Sequence, residues 1–158
     1  LVTYHADCLP VYLYDPAHQA IALLHAGWRG TVDNIVSAGL EKMRKAYGTR
    51  ASDVIAGIGP GISAACYETS EAVRILFAET FTDRDMERIF TEDGARHWQL
   101  DLALANHLLL QNAGVQEISD GGICTYRNAK RLFSHRAQGA KRGLNAAFLG
   151  LPEEGGTR

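Results

Sequence analysis

Apolar residues recur along the chain with two periods. Residues 11–14, 20–24, 54–58, 115–118 and 146–149 are short runs, mostly of Val, Ile, Leu and Tyr, bounded by Asp-Pro, Gly or charged residues. Runs of that length and composition predict strands. Asp15-Pro16 falls between the first two, which predicts a hairpin. Leu1, Val2, Thr3 and Tyr4 form a further apolar run and read as a strand already under way, so the chain is expected to be a piece of something longer. Over residues 31–46, Val32, Ile35, Val36, Leu40 and Met43 fall on helical spacing and Gly48 follows as a stop. A second helix is expected over 70–81, with Val73, Leu76 and Phe77 on one face. A third is expected over 101–113, with Leu102, Ala105, Leu108 and Leu109 inward and Gly114 beyond its end. Residues 82–96 are charged and without a strong period, so they read as a surface connection or a frayed helix. Strands come in pairs as well as alternating with helices, so the expected class is α+β, or mixed α/β, in a single domain. That domain is assigned to residues 1–150, with 151–158 as a flexible tail.

Composition narrows the function classes. With 158 residues the chain can bury about two thirds of its unfolded surface and needs no staples. Sixteen Lys and Arg face eighteen Asp and Glu, a net charge of −2, so neither nucleic acid nor an acidic membrane is the expected partner. No apolar stretch approaches the ~20 residues that span a bilayer. Three widely spaced cysteines with no C-x-x-C pair argue against a disulfide framework and for a reducing compartment, hence a cytoplasmic protein.

Chemistry concentrates at three places. These are His5-Ala6-Asp7-Cys8-Leu9-Pro10, His25-Ala26-Gly27-Trp28-Arg29-Gly30, and Cys124-Thr125 with Phe133-Ser134-His135-Arg136. A hairpin between the first two brings Cys8 near His25. A thiolate and an imidazole can ligate zinc or copper, or work as nucleophile and base; alternatively Cys8 is a small buried hydrophobe and His25 a hydrogen-bonded strand-end residue. His5 lies three residues from Cys8, which on a continuous strand places the two side chains on opposite faces, so His5 is expected at the surface. Gly27 and Gly30 precede a helix, where free N–H groups attract anions, and Arg29 adds a guanidinium fork; a packing turn with a solvated arginine is the competing reading. Gly57-Ile58-Gly59-Pro60-Gly61 lacks the ending of a phosphate-binding P-loop. Cys66 reads as a core thiol and Glu68 as a cap for the helix starting near Ser70. His135-Arg136 offers a basic pair to a pocket or ends a strand at the surface. His18, His97 and His107 carry no ligand signal.

Together the motifs are more specific than any one of them. Ala6-Asp7-Cys8-Leu9-Pro10-Val11 and His25-Ala26-Gly27-Trp28-Arg29-Gly30 closely resemble signatures of the multicopper-polyphenol-oxidase-like laccase-domain family, whose members are regarded as purine nucleoside enzymes. Gly59-Pro60-Gly61-Ile62 with Cys66-Tyr67-Glu68, and Cys124-Thr125 with residues 133–136, look like its third and fourth signatures, and the resemblance covers nearly the whole chain. It implies an α+β fold with a sandwich-like core, similar to cysteine-dependent toxin hydrolase domains. It also implies a zinc held by one Cys and two His, with copper as the other metal, and assigns Cys8 and His25 to that site. The remaining histidine belongs to an upstream Gln-Val-His-type segment not present here. A chain with two ligands is expected to hold metal weakly and to be inactive unless that segment is supplied. Ala137, where a second Arg is usual, and Arg142-Gly143, in place of a Gly-Arg order, put an anion contact from that segment in doubt.

The implied activities are phosphorolysis of adenosine, inosine, guanosine and methylthioadenosine, and deamination of adenosine, in a monomer or homodimer acting on purine nucleosides and phosphate. Cys8 and His25 are assigned to the metal, Asp7 to base or orienter, and Arg29 and Arg136 to phosphate. Two other enzyme classes stand beside this: a hydrolase with Cys8 as nucleophile and His25 as its base, and a copper-dependent polyphenol oxidase.

Overall fold

The hairpin at Asp15-Pro16 is the centre of the fold. In the computed structural model, which describes residues 1–94 and 97–152, β2 (Leu9–Asp15) pairs antiparallel with β3 (Ala20–Ala26), from Leu9 opposite Ala26 to Asp15 opposite Ala20. The turn is built by Asp15. Its fully buried carboxylate accepts the amides of Ala17 and His18 at 2.9 and 3.2 Å and the His18 ring at 2.8 Å, so side chain replaces backbone as turn acceptor.

β4 (Ile55–Ile58) adds antiparallel to the other edge of β2, and β8 (Glu117–Asp120) adds parallel to β4, giving a four-stranded sheet of order β3-β2-β4-β8. Leu9, Val11 and Leu13 of β2, with Ala56 and Ile58 of β4, are buried in the core. Two smaller sheets flank it. One pairs β5 (Glu68–Ser70), β7 (His97–Leu100) and β6 (Phe90–Glu92) in that order, antiparallel throughout. The other joins β1 (Val2–His5) to β9 (Asn145–Phe148). With six α-helices between the strands among the described residues, the chain is a mixed α/β single domain.

The helix expected over 31–46 is two helices, α1 (Trp28–Val32) and α2 (Ile35–Tyr47). Asn34 separates them in the left-handed conformation, φ 52°, and its side chain accepts the Ser37 amide at 3.1 Å, so it breaks one helix and caps the next. Gly48, at φ 78°, stops α2 as expected. The helix expected over 70–81 is shorter. Ser70 occupies the N-cap position, α3 spans Glu71–Phe77, and Leu76 is exposed while Phe77 and Phe81 are buried, their rings stacked at 5.6 Å. Glu68 does not cap it; it lies in β5 with its carboxylate 3.1 Å from the His97 ring.

The charged segment at 82–96 is more ordered than its composition suggests. Thr82 accepts the Asp85 amide at 3.2 Å and starts α4 (Asp83–Ile89), which runs straight into β6. Three apolar residues among the charges, Met86, Ile89 and Phe90, are buried and hold the segment to the core; Ala95 and Arg96 lie outside the described residues. The strand expected at 115–118 begins two residues later, with Val115 buried ahead of it. Of the expected tail, residues 153–158 lie outside the described residues.

α5 (Leu102–Asn112) runs through the core and is apolar on most sides. Asp101 caps it by accepting the Leu104 amide at 2.9 Å. In its middle Asn106, fully buried, donates to the Thr31 hydroxyl at 2.9 Å, and that hydroxyl donates to the Gly27 carbonyl at 3.0 Å. This relay fixes the start of α1 against the core. Among the described residues no helix is long and apolar enough to cross a membrane.

Candidate functional site

Asp7 decides how the first motif is laid out. It adopts φ 86°, a left-handed conformation between β1 and β2, and so breaks the strand alternation between His5 and Cys8. Cys8 directly precedes β2. Pro10 pairs with His25 and Leu9 with Ala26, so the thiol sits beside Gly27; a Cβ there would lie 2.8 Å from Cys8 Sγ. The glycine leaves room for the sulfur rather than for a ligand alone.

Cys8 and His25 share one cavity of about 530 Å³. Arg29 from α1, Tyr67 ahead of β5, Arg136 from α6 (His135–Gln138) and Arg142 also line it. The structure therefore brings together Asp7, Cys8, His25, Arg29 and Arg136, the residues given roles from the sequence, while Cys124 lines a different cavity. Burial, and after it the Asp7 carboxylate, push the Cys8 thiol above its ordinary value, while Arg142 works in the other direction. Burial, and then Cys8, push the Tyr67 phenol up to about 12, so it faces the cavity as a hydrogen-bond donor.

Asp7 is committed on both oxygens. Thr125 donates its hydroxyl to Oδ1 at 2.7 Å and the Arg136 amide donates to Oδ2 at 2.7 Å. The carboxylate is buried and joins three distant segments, an arrangement suited to orienting Arg136. Arg136 also donates through Nη2 to the Glu68 carbonyl at 2.8 Å and lies over the Tyr67 ring, 5.5 Å from its centroid. Arg29 stacks on Trp28 at 4.2 Å.

His5 is not at the surface. It is 2% exposed, and its ring stacks on His25 with centroids 4.5 Å apart and planes 20° from parallel. Burial, and next the neighbouring His25, lower it to about 4, so it is a neutral ring supporting His25 from behind the cavity. The strand argument failed because the backbone between positions 5 and 8 is not a strand.

The third and fourth motifs meet side by side. The Gly61 amide donates to the Ile123 carbonyl and the Thr125 amide to the Gly61 carbonyl, at 3.1 and 2.9 Å. Gly61 is required there, since a Cβ would fall 2.2 Å from a Leu9 methyl. Cys124 is buried and accepts the Ser63 amide at 3.4 Å; Cys66 is half-buried. His135 opens α6, capped by Ser134, rather than ending a strand.

Arg142 is the site residue that sequence reasoning undervalued. The swapped Arg-Gly order counted against it, yet the order has a packing reason: a Cβ on Gly143 would meet the Phe133 ring at 2.6 Å. The contact between Phe133 and Gly143 is tertiary, so the sequence carried no signal for it.

A thiol and an imidazole are the donor types zinc takes. Among the described residues, however, no group of three or more His, Cys, Asp or Glu is placed to hold a metal ion. Cys8 and His25 thus fit a zinc in kind and supply two of its donors.

A mixed α/β domain with a Cys–His pair and three arginines at one cleft defines a candidate metal- and anion-binding enzyme. The chain belongs to the family described as multi-copper polyphenol oxidoreductase laccase, which matches residues 1–152. It is 42% identical over 140 residues to a purine nucleoside phosphorylase of Bacteroides thetaiotaomicron, covering 87% of this chain and 52% of that protein. It is 33% identical over 150 residues to the purine nucleoside phosphorylase YlmD of Bacillus subtilis, covering 94% of this chain and 53% of that protein. The crystal structure of the hypothetical protein YfiH of Bacillus licheniformis superposes with a TM-score of 0.86 at 30% identity, over 92% of this chain and 55% of that one. YlmD of Geobacillus stearothermophilus gives a TM-score of 0.86 at 31% identity, over 92% and 54%. The chain spans about half the length of these relatives.

Proposed function

We propose that the chain carries the catalytic cleft of a purine nucleoside phosphorylase. The observation that carries this reading is the meeting of Cys8, His25 and Arg29, Arg136 and Arg142 on one cavity of about 530 Å³. The relatives named purine nucleoside phosphorylase at 42% and 33% identity support it.

Phosphorolysis breaks the bond between the ribose C1′ and the purine nitrogen and forms a C1′–O bond to phosphate. It asks the protein for a seat for the oxyanion beside C1′ and for a fixed geometry. Arg29 and Arg136 are assigned to the phosphate. Asp7 acts as an orienter: with both oxygens engaged, it fixes the backbone amide of Arg136 and so sets where that guanidinium starts. Tyr67, protonated throughout the neutral range, donates rather than accepts. Cys8 and His25 would hold a zinc, with a further donor from outside the described residues. When bound, zinc supplies a water acidified toward a pKa of ~7, the chemistry that deamination of adenosine needs. Adenosine, inosine, guanosine and methylthioadenosine are the proposed substrates, in the cytoplasm.

The test is adenosine turnover with and without phosphate. It is run on this chain and on the chain preceded by the upstream part of the Bacteroides relative. Phosphate-dependent release of adenine is the expected result. Release of neither adenine nor inosine by either form overturns the reading. Turnover insensitive to chelators and abolished by alkylation of Cys8 points instead to the cysteine hydrolase.

A further inference from the structure

Arginines from three separate segments reach the cleft: Arg29 in α1, Arg136 in α6, and Arg142 after the 3-10 turn Gly139–Lys141. One carboxylate, Asp7, faces them there, and both its oxygens already accept hydrogen bonds. The cleft therefore holds more positive charge than its own residues neutralise, and it will take an anion.

The three cations are not equivalent. Arg29 is exposed and stacked on Trp28, and Arg136 is exposed and gives an N–H to the Glu68 carbonyl. Arg142 is half-buried, and among the described residues its guanidinium has no acceptor; its Nε is buried with no partner. A buried Nε–H without an acceptor keeps an unmade bond that an incoming oxyanion can make, and the planar fork of the guanidinium matches a tetrahedral oxyanion. Its backbone is held as well. The Phe133 ring closes over Gly143, and the Phe133 amide donates to the Asn145 side chain at 2.9 Å.

We infer that Arg142 is the principal seat of an inorganic oxyanion of the phosphate class in this cleft, with Arg29 and Arg136 as auxiliary contacts. The inference rests on the phosphorolysis reading for its role in turnover, but the binding event is separate from it. An anion drawn in by Arg142 lies in the cavity that Cys8 and His25 share, where a nucleoside would present its ribose.

The test is calorimetric titration of inorganic phosphate into the chain and its variants Arg142→Gln, Arg142→Lys and Arg131→Gln; Arg131 is exposed and lies outside the cleft. Phosphate affinity is expected to fall roughly tenfold or more in Arg142→Gln, partly recover in Arg142→Lys, and stay unchanged in Arg131→Gln. In whichever form turns over adenosine, KM for phosphate rises and KM for adenosine stays within about twofold. Phosphate binding that Arg142→Gln leaves intact overturns the inference, as does a wild-type chain that binds no phosphate. Binding of adenosine monophosphate, but not of inorganic phosphate, that depends on Arg142 overturns the inorganic source. Phosphate binding lost in Arg142→Gln, in a protein that cleaves no nucleoside, upholds the inference and overturns the phosphorolysis reading.

Discussion

The Arg136 amide donates to Asp7 Oδ2 at 2.7 Å across 129 residues of sequence. The same carboxylate takes the Thr125 hydroxyl, so both halves of the fourth motif are tied to one buried acceptor in the first.

Replacing Asp7 with Asn is expected to destabilise the chain by roughly 1–3 kcal/mol, because an NH2 group replaces one acceptor facing a donor. Asn tolerates the left-handed backbone, so Asp7→Ala should cost more. Urea denaturation of both variants checks the order. Equal stability in wild type and Asp7→Asn would remove Asp7 from this structural role.

Gly27→Ala places a methyl 2.8 Å from Cys8 Sγ, and the sulfur must move. The expected outcome is a folded chain, by circular dichroism, with zinc affinity reduced in parallel with Cys8→Ala. Loss of a thiolate donor should itself weaken zinc binding by more than about tenfold. If wild type and Cys8→Ala bind zinc equally in a competition titration, the metal assignment is wrong.

Asp15 sets an acid limit on stability. Burial alone would push its carboxyl up, but the Thr49 side chain and then the hydrogen bonds from His18 and Ala17 outweigh that and hold it below its ordinary value. A carboxyl lowered on folding adds stability above the unfolded pKa, near ~3.9, and loses it as pH falls through the folded value. Asp15→Asn should be less stable at neutral pH and show a flatter stability profile below about pH 4. An unchanged profile in thermal melts from pH 7 to pH 3 would count against this.

Asn34 performs two tasks, and they can be separated. Asn34→Gly keeps the left-handed backbone and loses the cap on the Ser37 amide, whereas Asn34→Ala loses both. Ala should cost about 2 kcal/mol, and Gly well under half of that. Melting temperatures that rank Ala above Gly would contradict the assignment.

The sequence made some of this legible and concealed the rest, for identifiable reasons. Asp15-Pro16 between two β-rich runs located the hairpin, and the hairpin brought Cys8 to His25. The helix over 101–113 was clear because its apolar period is long and the terminal Gly114 is explicit. Asn34 was invisible to periodicity, since a one-residue excursion to positive φ leaves the apolar spacing of its neighbours intact. Met86, Ile89 and Phe90 were masked by charges, because their burial depends on packing against β7 and α5, which local periodicity does not show. His5 was misplaced for a similar reason: the argument assumed a strand through Asp7, and one left-handed residue undid it. Arg142 was discounted by comparison with a family pattern, whereas the packing of Phe133 on Gly143 shows only in the fold.

The pairing of β1 with β9 has a consequence for how such a chain is made. The Leu149 amide donates to the Leu1 carbonyl at 3.1 Å, and His5 pairs with Asn145. A ribosome delivers β1 early and its partner late, and contacts so remote in sequence close slowly. The β2–β3 hairpin can form while synthesis continues, so Cys8 and His25 can meet early. The arginines at 136 and 142 follow more than a hundred residues later. The order of synthesis therefore places the sulfur–imidazole pair before two of the cations that share its cavity.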